Sequence, residues 1–502
     1  MKNRLSVITF ALVLLPWGLW AEDPTTANPS ENDFFGADSP TIADTKPSTA
    51  DPTQQFNEQV GGAKWGATTL SDATWSPGWV GGWPGSPSAA WNDNLSYDLL
   101  ATAFMDSRPR KDLRFRFSLQ AAAPFENSST SIETPNPFTP YGTPTTGTEV
   151  PNIKVWEMFT DVTIGDYLYL RFGKQSASWG VSYFYSAADI ISLTPINVIN
   201  PTLQREGPIA LKASVPFPNQ KANLTAFVLT QDGAFNDTNP GLSTLGYALQ
   251  GDMLVGQAQL TLGGFYQNSS ASKVVGTVNS GLGFLNLPVD GDINVFTEAI
   301  LSDGSDVLQG SGNQTVALGS TTYQTYQSLS PWAKTLYYTG TAGINYANTE
   351  YNFSLRVEYL YNPFGSSDKK AAAYGYNTYL ATLAGSSPAN SAGRAYGLND
   401  ILNPGIHNMT ALLDFTKLAN SKLEFSTLLQ QNFSDGSGWL YPYFTIYPWD
   451  PLGFRWGARV VYGDDGTQYP IQFQSFSSSG TPTGGTQRVS LVVEVFFGMN
   501  QY

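Results

Sequence analysis

The sequence contains no cysteine and a single histidine, His407. Without cysteine there is no disulfide scaffold, no thiolate-ligated zinc or iron–sulfur site, no cysteine nucleophile and no lipid-modified cysteine. Charge is also scarce. Only 13% of residues are charged, roughly half the ~25% usual in soluble proteins. Acids outnumber bases 40 to 26, giving a net charge of −14, which argues against nucleic acid as a partner. Beyond the N-terminus no apolar run is long enough for a membrane helix, and helical periodicity is hardly visible. Neither a phosphate-binding glycine loop nor a HExxH pattern occurs. No nucleophile motif stands near His407, which reads as an interfacial residue at a strand end. Acidic turns such as Asp464-Asp465-Gly466 read as solvated rather than as calcium sites. No enzyme activity, cofactor or metal is expected.

Aromatic residues are abundant. The 502 residues include 13 Trp, 26 Tyr and 29 Phe, surface enough to exclude disorder for most of the chain. The first 21 residues have the order of a secretory signal: Lys2 and Arg4, an apolar run from Leu5 to Leu15, and a cut expected after Ala21. Residues 22–58 change character, with Pro, Thr and Ser prominent and eight acids against Lys46. They read as a solvated, disordered segment. The rest, 59–502, is the folded body.

That body alternates with a period of two. Leu113, Phe115, Phe117 and Leu119 share one face of a strand, while Arg114, Arg116, Ser118 and Gln120 share the other. The same division recurs at 353–361 and 454–462. Such alternation suits a sheet that is apolar on one side and polar on the other. A soluble sandwich would share it. The runs are about 10 residues long, enough to cross a bilayer when tilted. Aromatic clusters such as Trp439–Phe444 and Tyr447-Pro448-Trp449 read as interfacial belts at strand ends. Short turns (107–111, 165–167, 218–221, 348–350, 419–421, 449–453) alternate with long polar stretches (71–93, 124–152, 177–206, 302–333, 362–405, 464–486). Short periplasmic turns and long extracellular loops characterise outer-membrane barrels. The expected fold is all-β: one transmembrane antiparallel barrel of about 18 strands, with 16 as the alternative. The count is least certain at 268–302, where 274–283 is strand or loop.

One hairpin can be registered. A turn at Gly165-Asp166-Tyr167 pairs Ile164 with Leu168, places Asp161 opposite Arg171, and sets Phe159 over Gly173. A slip of one residue would oppose apolar to polar side chains throughout. Lys174 then falls on the lipid face and must snorkel or sit beyond a bulge.

The stretch Leu170-Arg171-Phe172-Gly173-Lys174-Gln175, with Ser178-Trp179-Gly180, Ala188-Asp189-Ile190, Asn200-Pro201 and Arg205-Glu206-Gly207-Pro208, resembles large porin-like outer-membrane proteins of spirochaetes and some other two-membraned bacteria. Trp156–Asp161 and Arg108–Arg114 resemble them too, so that the likeness covers about 110 residues. It implies a transmembrane barrel with a channel-like role and implies no substrate. An aromatic C-terminal residue, Tyr502, is loosely similar to the signal that bacterial barrel proteins present to the assembly machinery.

The polar face nominates lumen residues: Arg114, Arg116, Arg171, Arg356, Arg455 and Arg459, with Glu157, Asp161, Glu358 and Asp414. Segment 177–206 occupies the position of the inward-folded loop of general porins, and Asp189, Arg205 and Glu206 are its fixed charges. An acidic loop facing a basic wall would set a transverse field favouring polar solutes; otherwise these are hydrated wall residues. The expected function is passive diffusion of small hydrophilic solutes across the outer membrane. Its partners are outer-membrane lipid, the solutes and the barrel-assembly machinery, with a homo-oligomer an open possibility. Two alternatives stand beside it: a channel for hydrophobic compounds plugged by the N-terminal segment, in which part of Gln54–Trp65 enters the lumen, and a surface adhesin or structural protein that binds ligands through loops 124–152 and 362–405.

Overall fold

The computed structural model describes residues 62–498, apart from 93–94, 128–148, 166, 193–195, 197, 199–204, 231–244, 269, 284–290, 319–320, 387, 392–393, 398–399, 402–404, 419–421, 450–451 and 477–481. The signal, the acidic segment 22–58, Tyr502 and the centre of loop 124–152 lie outside these residues.

Eighteen antiparallel strands form one closed sheet. They are β1 (Gly62–Trp75), β2 (Leu95–Arg110), β3 (Leu113–Asn127), β4 (Glu149–Ile164), β5 (Leu168–Lys174), β6 (Ile209–Phe217), β7 (Ala222–Leu229), β8 (Gly246–Val255) and β9 (Ala258–Gln267). The second half is β10 (Lys273–Gly281), β11 (Asp292–Asp303), β12 (Leu336–Asn348), β13 (Phe353–Tyr361), β14 (His407–Phe415), β15 (Leu423–Asn432), β16 (Ser437–Trp449), β17 (Leu452–Tyr462) and β18 (Pro482–Gly498). Each strand pairs with the next, and Leu70–Trp75 of β1 pairs with Val493–Gly498 of β18 to close the ring. Closure leaves no unpaired edge, the condition for a sheet to sit in hydrocarbon. The ambiguous stretch within 268–302 is strand β10, and the count is 18.

The expected hairpin register holds. Ile164 pairs with Leu168, Asp161 with Arg171 and Phe159 with Gly173. Gly173 has φ +129°, and a Cβ there would overlap the Met158 carbonyl, so only glycine suits this corner. Lys174 neither snorkels nor sits beyond a bulge. Its ammonium donates to Glu206 at 2.5 Å, so a carboxylate from the following loop neutralises it at the strand end.

Outward faces are apolar, as Phe172 (64% exposed), Met158, Leu262 and Leu491 show. An aromatic band crosses β12–β17 near the short turns. Tyr346, Phe353, Phe415, Phe425, Phe444 and Trp456 follow one another with ring centroids 4.9–6.5 Å apart. At the other rim Tyr359 and Tyr361 flank His407, whose Nδ1 lies 2.5 Å from the Tyr359 hydroxyl. The histidine is thus part of an outer aromatic rim.

Two expectations fail. Within Trp439–Phe444, Trp439 (0% exposed) and Tyr441 point inward, packed against Phe473 and Tyr443. These rings fill the barrel instead of forming a belt, because the loops fold down over them. The chain also contains helix. Loop 362–405 carries α1 (Ala371–Leu383), and loop 464–486 carries the short α2 (Gln468–Gln472). The alanine-rich α1 packs on a hairpin of the neighbouring long loop, Gln314–Leu318 with Thr321–Thr325.

Candidate functional site: the narrowed lumen

The residues after β5 do not stay outside the ring. Trp179 packs edge-on against Phe227 of β7 at 6.1 Å, in a cluster with Ala210, Phe265, Val275 and Ile300 from β6 and β9–β11. Farther round, Phe184 and Tyr185 pack with Leu360, Leu412, Leu428, Trp439 and Tyr441 from β13–β16. The loop therefore covers the inner face from β6 to β16. The sector explains why β7 carries Phe227 and Leu229 on its inner face as well as apolar residues such as Leu224 outside: the inner pair meets the loop.

Two carboxylates fix the loop. Val181 and Ser182 donate their N–H groups to Oε1 of Glu298 at 2.5 and 2.8 Å, and Ala188 donates to Oε2 at 2.8 Å. Tyr183 donates to Oε1 of Glu358 at 2.5 Å, while Phe184 and Tyr185 donate to Oε2 at 2.8 and 3.1 Å. Both glutamates have 0% exposure. Between them, Thr341 of β12 donates to the Tyr185 carbonyl at 3.0 Å, and Thr410 of β14 donates to the Tyr185 hydroxyl at 2.7 Å. A buried carboxylate costs several kcal/mol in desolvation. Each charge-assisted bond returns about 1.5–3 kcal/mol, so three per carboxylate offset the cost and leave the loop anchored. Gly180 (φ +112°) permits the approach, since a Cβ there would stand 2.6 Å from Oε1 of Glu298.

The nominated residues fall into three groups. Arg114, Arg116, Glu157, Asp161 and Arg171 come together on the inner face of β3–β5 with a residue the sequence reading missed, Asp106 of β2. Arg116 pairs with Glu157 (2.7 Å) and Asp106 (3.5 Å), Arg114 with Asp106 (2.5 Å) and Asp161 (3.5 Å), and Arg171 with Asp161 (2.6 Å). The Arg171 guanidinium also lies 4.0 Å over the Phe159 ring. A second group comprises Arg455, which pairs with Glu494 at 2.7 Å, and Arg459, which donates to Gln487 at 3.2 Å and stacks over Phe473. In the third, Glu358 is covered by the loop, Arg356 stacks 4.2 Å from the Tyr183 ring, and Asp414 accepts from Ser354 at 3.4 Å.

The loop charges have partners of their own. Asp189 is buried, pairs with Arg205, and accepts from the Trp179 and Ser192 backbones at 3.2 and 3.3 Å. Glu206 pairs with Lys174. The expected acidic loop facing a basic wall is therefore replaced by a loop compensated within itself and a wall on which acids and arginines alternate. Arg114, Arg116, Arg171 and Arg455 each pair with a carboxylate of a neighbouring strand, whereas Arg459 and Arg356 rest on an amide and aromatic rings. Gly62–Trp65, the end of the segment proposed as a plug, is part of the wall in β1, paired with Met105–Arg108; Gln54–Gly61 lies outside the described residues.

Glu298 was missed because its signal is weak: one acid between Phe296 and Ile300 on the inner face of β11. Its partners lie more than a hundred residues upstream, at sequence separations of 110 to 117.

No family model and no curated protein matches the chain. Among solved structures, the chain is similar to OccK5 (OpdH) of Pseudomonas aeruginosa, at 9% identity and a TM-score of 0.44, covering 88% of this chain and 99% of that one. It is similar to OpdK of the same species, solved with vanillate, at 7% identity and a TM-score of 0.45, covering 88% and 99%. It is also similar to a BenF-like porin from Pseudomonas fluorescens, at 8% identity and a TM-score of 0.44, covering 88% and 100%. These comparisons lend no support to a specifically spirochaete family.

Proposed function

We propose that the protein is an outer-membrane channel for passive diffusion of small hydrophilic solutes, narrowed by segment 177–206. One observation carries this reading: six backbone N–H groups of the loop are held by Glu298 and Glu358 inside a closed ring. An 18-strand barrel is wide enough for an aqueous channel, and a loop pinned along one wall narrows it. The polar inner faces of β17, β18 and β1–β5 line the opposite side. Their alternating charges favour polar over apolar solutes without a strong preference for either sign. Outer-membrane lipid covers the apolar exterior. Export through a signal cut near Ala21, insertion by the barrel-assembly machinery and any homo-oligomer belong to the same reading, as does kinship with spirochaete proteins through the 170–208 motif.

Planar-bilayer recording tests it. Stepwise conductance is expected from folded, heat-modifiable protein. Its absence from such protein would overturn the proposal.

A further inference from the structure

The long-loop end holds a cavity that takes no part in the narrowing. It measures about 370 Å³ and lies between the loop after β11, helix α1 and the segment before β14. Strand pairing holds its frame. Leu308–Ser311 pairs with Ser328–Pro331, which in turn pairs in parallel with Ala389–Asn390. Leu308, Leu329, Tyr379 and Tyr396 form a separate buried cluster beneath it. The Asp400 carboxylate ties the parts together, accepting from the Leu308 and Gly397 backbones at 2.7 and 2.8 Å and from Arg394 at 2.6 Å.

The lining has a particular chemistry. Tyr326, Trp332, Phe364, Tyr374 and Tyr396 contribute aromatic rings. Tyr326 meets Tyr374 edge-on at 5.8 Å, and Trp332 meets Phe364 edge-on at 5.2 Å, so rings stand at steep angles around the space. Between them lie amides and hydroxyls of Gln309, Ser311, Asn313 and Ser366. The charged groups of the lining are two carboxylates, Asp368 and Asp400, and no lysine or arginine lines the cavity among the described residues.

Aromatic faces suit the C–H surface of a sugar ring, and mixed donors and acceptors suit its hydroxyls. A quaternary ammonium would use the rings and the two acids but leave the amides and hydroxyls of Gln309, Ser311 and Asn313 without partners, whereas sugar hydroxyls can donate to the acids as well; an anion would meet no cation. The volume falls within the usual range for small-molecule sites. We infer that this outer cavity binds a neutral saccharide of one or two rings, with Tyr374 and Trp332 as principal contacts. The inference stands apart from the channel reading, since none of these residues touches the segment that narrows the lumen.

Saturation-transfer difference NMR on the folded full chain in detergent tests it. The probes are glucose, galactose, N-acetylglucosamine, maltose, cellobiose and chitobiose, with choline and glucuronate as charged controls. Signal is expected from at least one neutral sugar. Trp332→Ala, which removes the indole from the lining, should weaken it several-fold, and Tyr374→Ala should abolish it. Heat-modifiability establishes that each variant is folded, and Glu298→Gln should leave the signal unchanged. Silence from all six sugars would overturn the inference. So would transfer to choline or glucuronate alone, or sugar signals indifferent to both cavity substitutions.

Discussion

At the scale of the residue, the decisive groups are two glutamates that the barrel wall turns inward. Glu298→Gln or Glu358→Gln substitutes an amide for a carboxylate that accepts three N–H bonds. Charged hydrogen bonds are worth about 1.5–3 kcal/mol each and neutral ones about half that, so each variant loosens the loop by a few kcal/mol. Single-channel recordings should show larger conductance and noisier open states, with the double variant exceeding either single one. What the sequence disclosed at this scale depended on distance along the chain. Asp161 and Arg171 face each other across one turn, and their register follows from a local period of two. Glu358 was placed on the inner face by the same alternation, but its partners, Tyr183 to Tyr185, are 173 to 175 residues away. Nothing local marks a carboxylate that will hold backbone rather than water. Trp439 shows the complementary limit, for an aromatic residue reads alike whether it meets lipid or a folded-in loop.

At the scale of the element, β2–β5 share an alternating series of six charges, Glu157, Arg116, Asp106, Arg114, Asp161 and Arg171. Its formal charge is zero, and Asp106 sits where two arginines meet. Asp106→Asn leaves the series one positive charge in excess. The reversal potential in a salt gradient should shift toward anion preference, and the shift should shrink in concentrated salt, as screening requires. An unchanged reversal potential would mean that this face is not beside the ion path. The strands themselves were legible because alternation and turn spacing are local. Helix α1 was not, since its small residues settle on a neighbouring loop and show no clear amphipathic period.

At the scale of the whole molecule, the wall and the loop are energetically separable. Strand-to-strand hydrogen bonds close the ring from β1 to β18 without using segment 181–188. A chain with 181–188 replaced by a short glycine–serine linker should still resist unheated detergent on electrophoresis while conducting more than the intact protein. Failure to regain heat-modifiability would show that the loop instead supports the wall. The low charge content has its explanation here too, because outward-facing positions along the strands carry apolar side chains such as Phe172 and Leu262. The glutamate anchors also impose an order in time. The loop emerges after β5 and can meet Phe227 of β7 through Trp179, yet its backbone acceptors are on β11 and β13, so residues 181–188 stay unanchored until those strands are in place. Closing so long a stretch of chain is slow and entropically costly. If the strands join in chain order, the anchoring of the loop therefore follows the arrival of β13, long after the loop itself has been added to the chain.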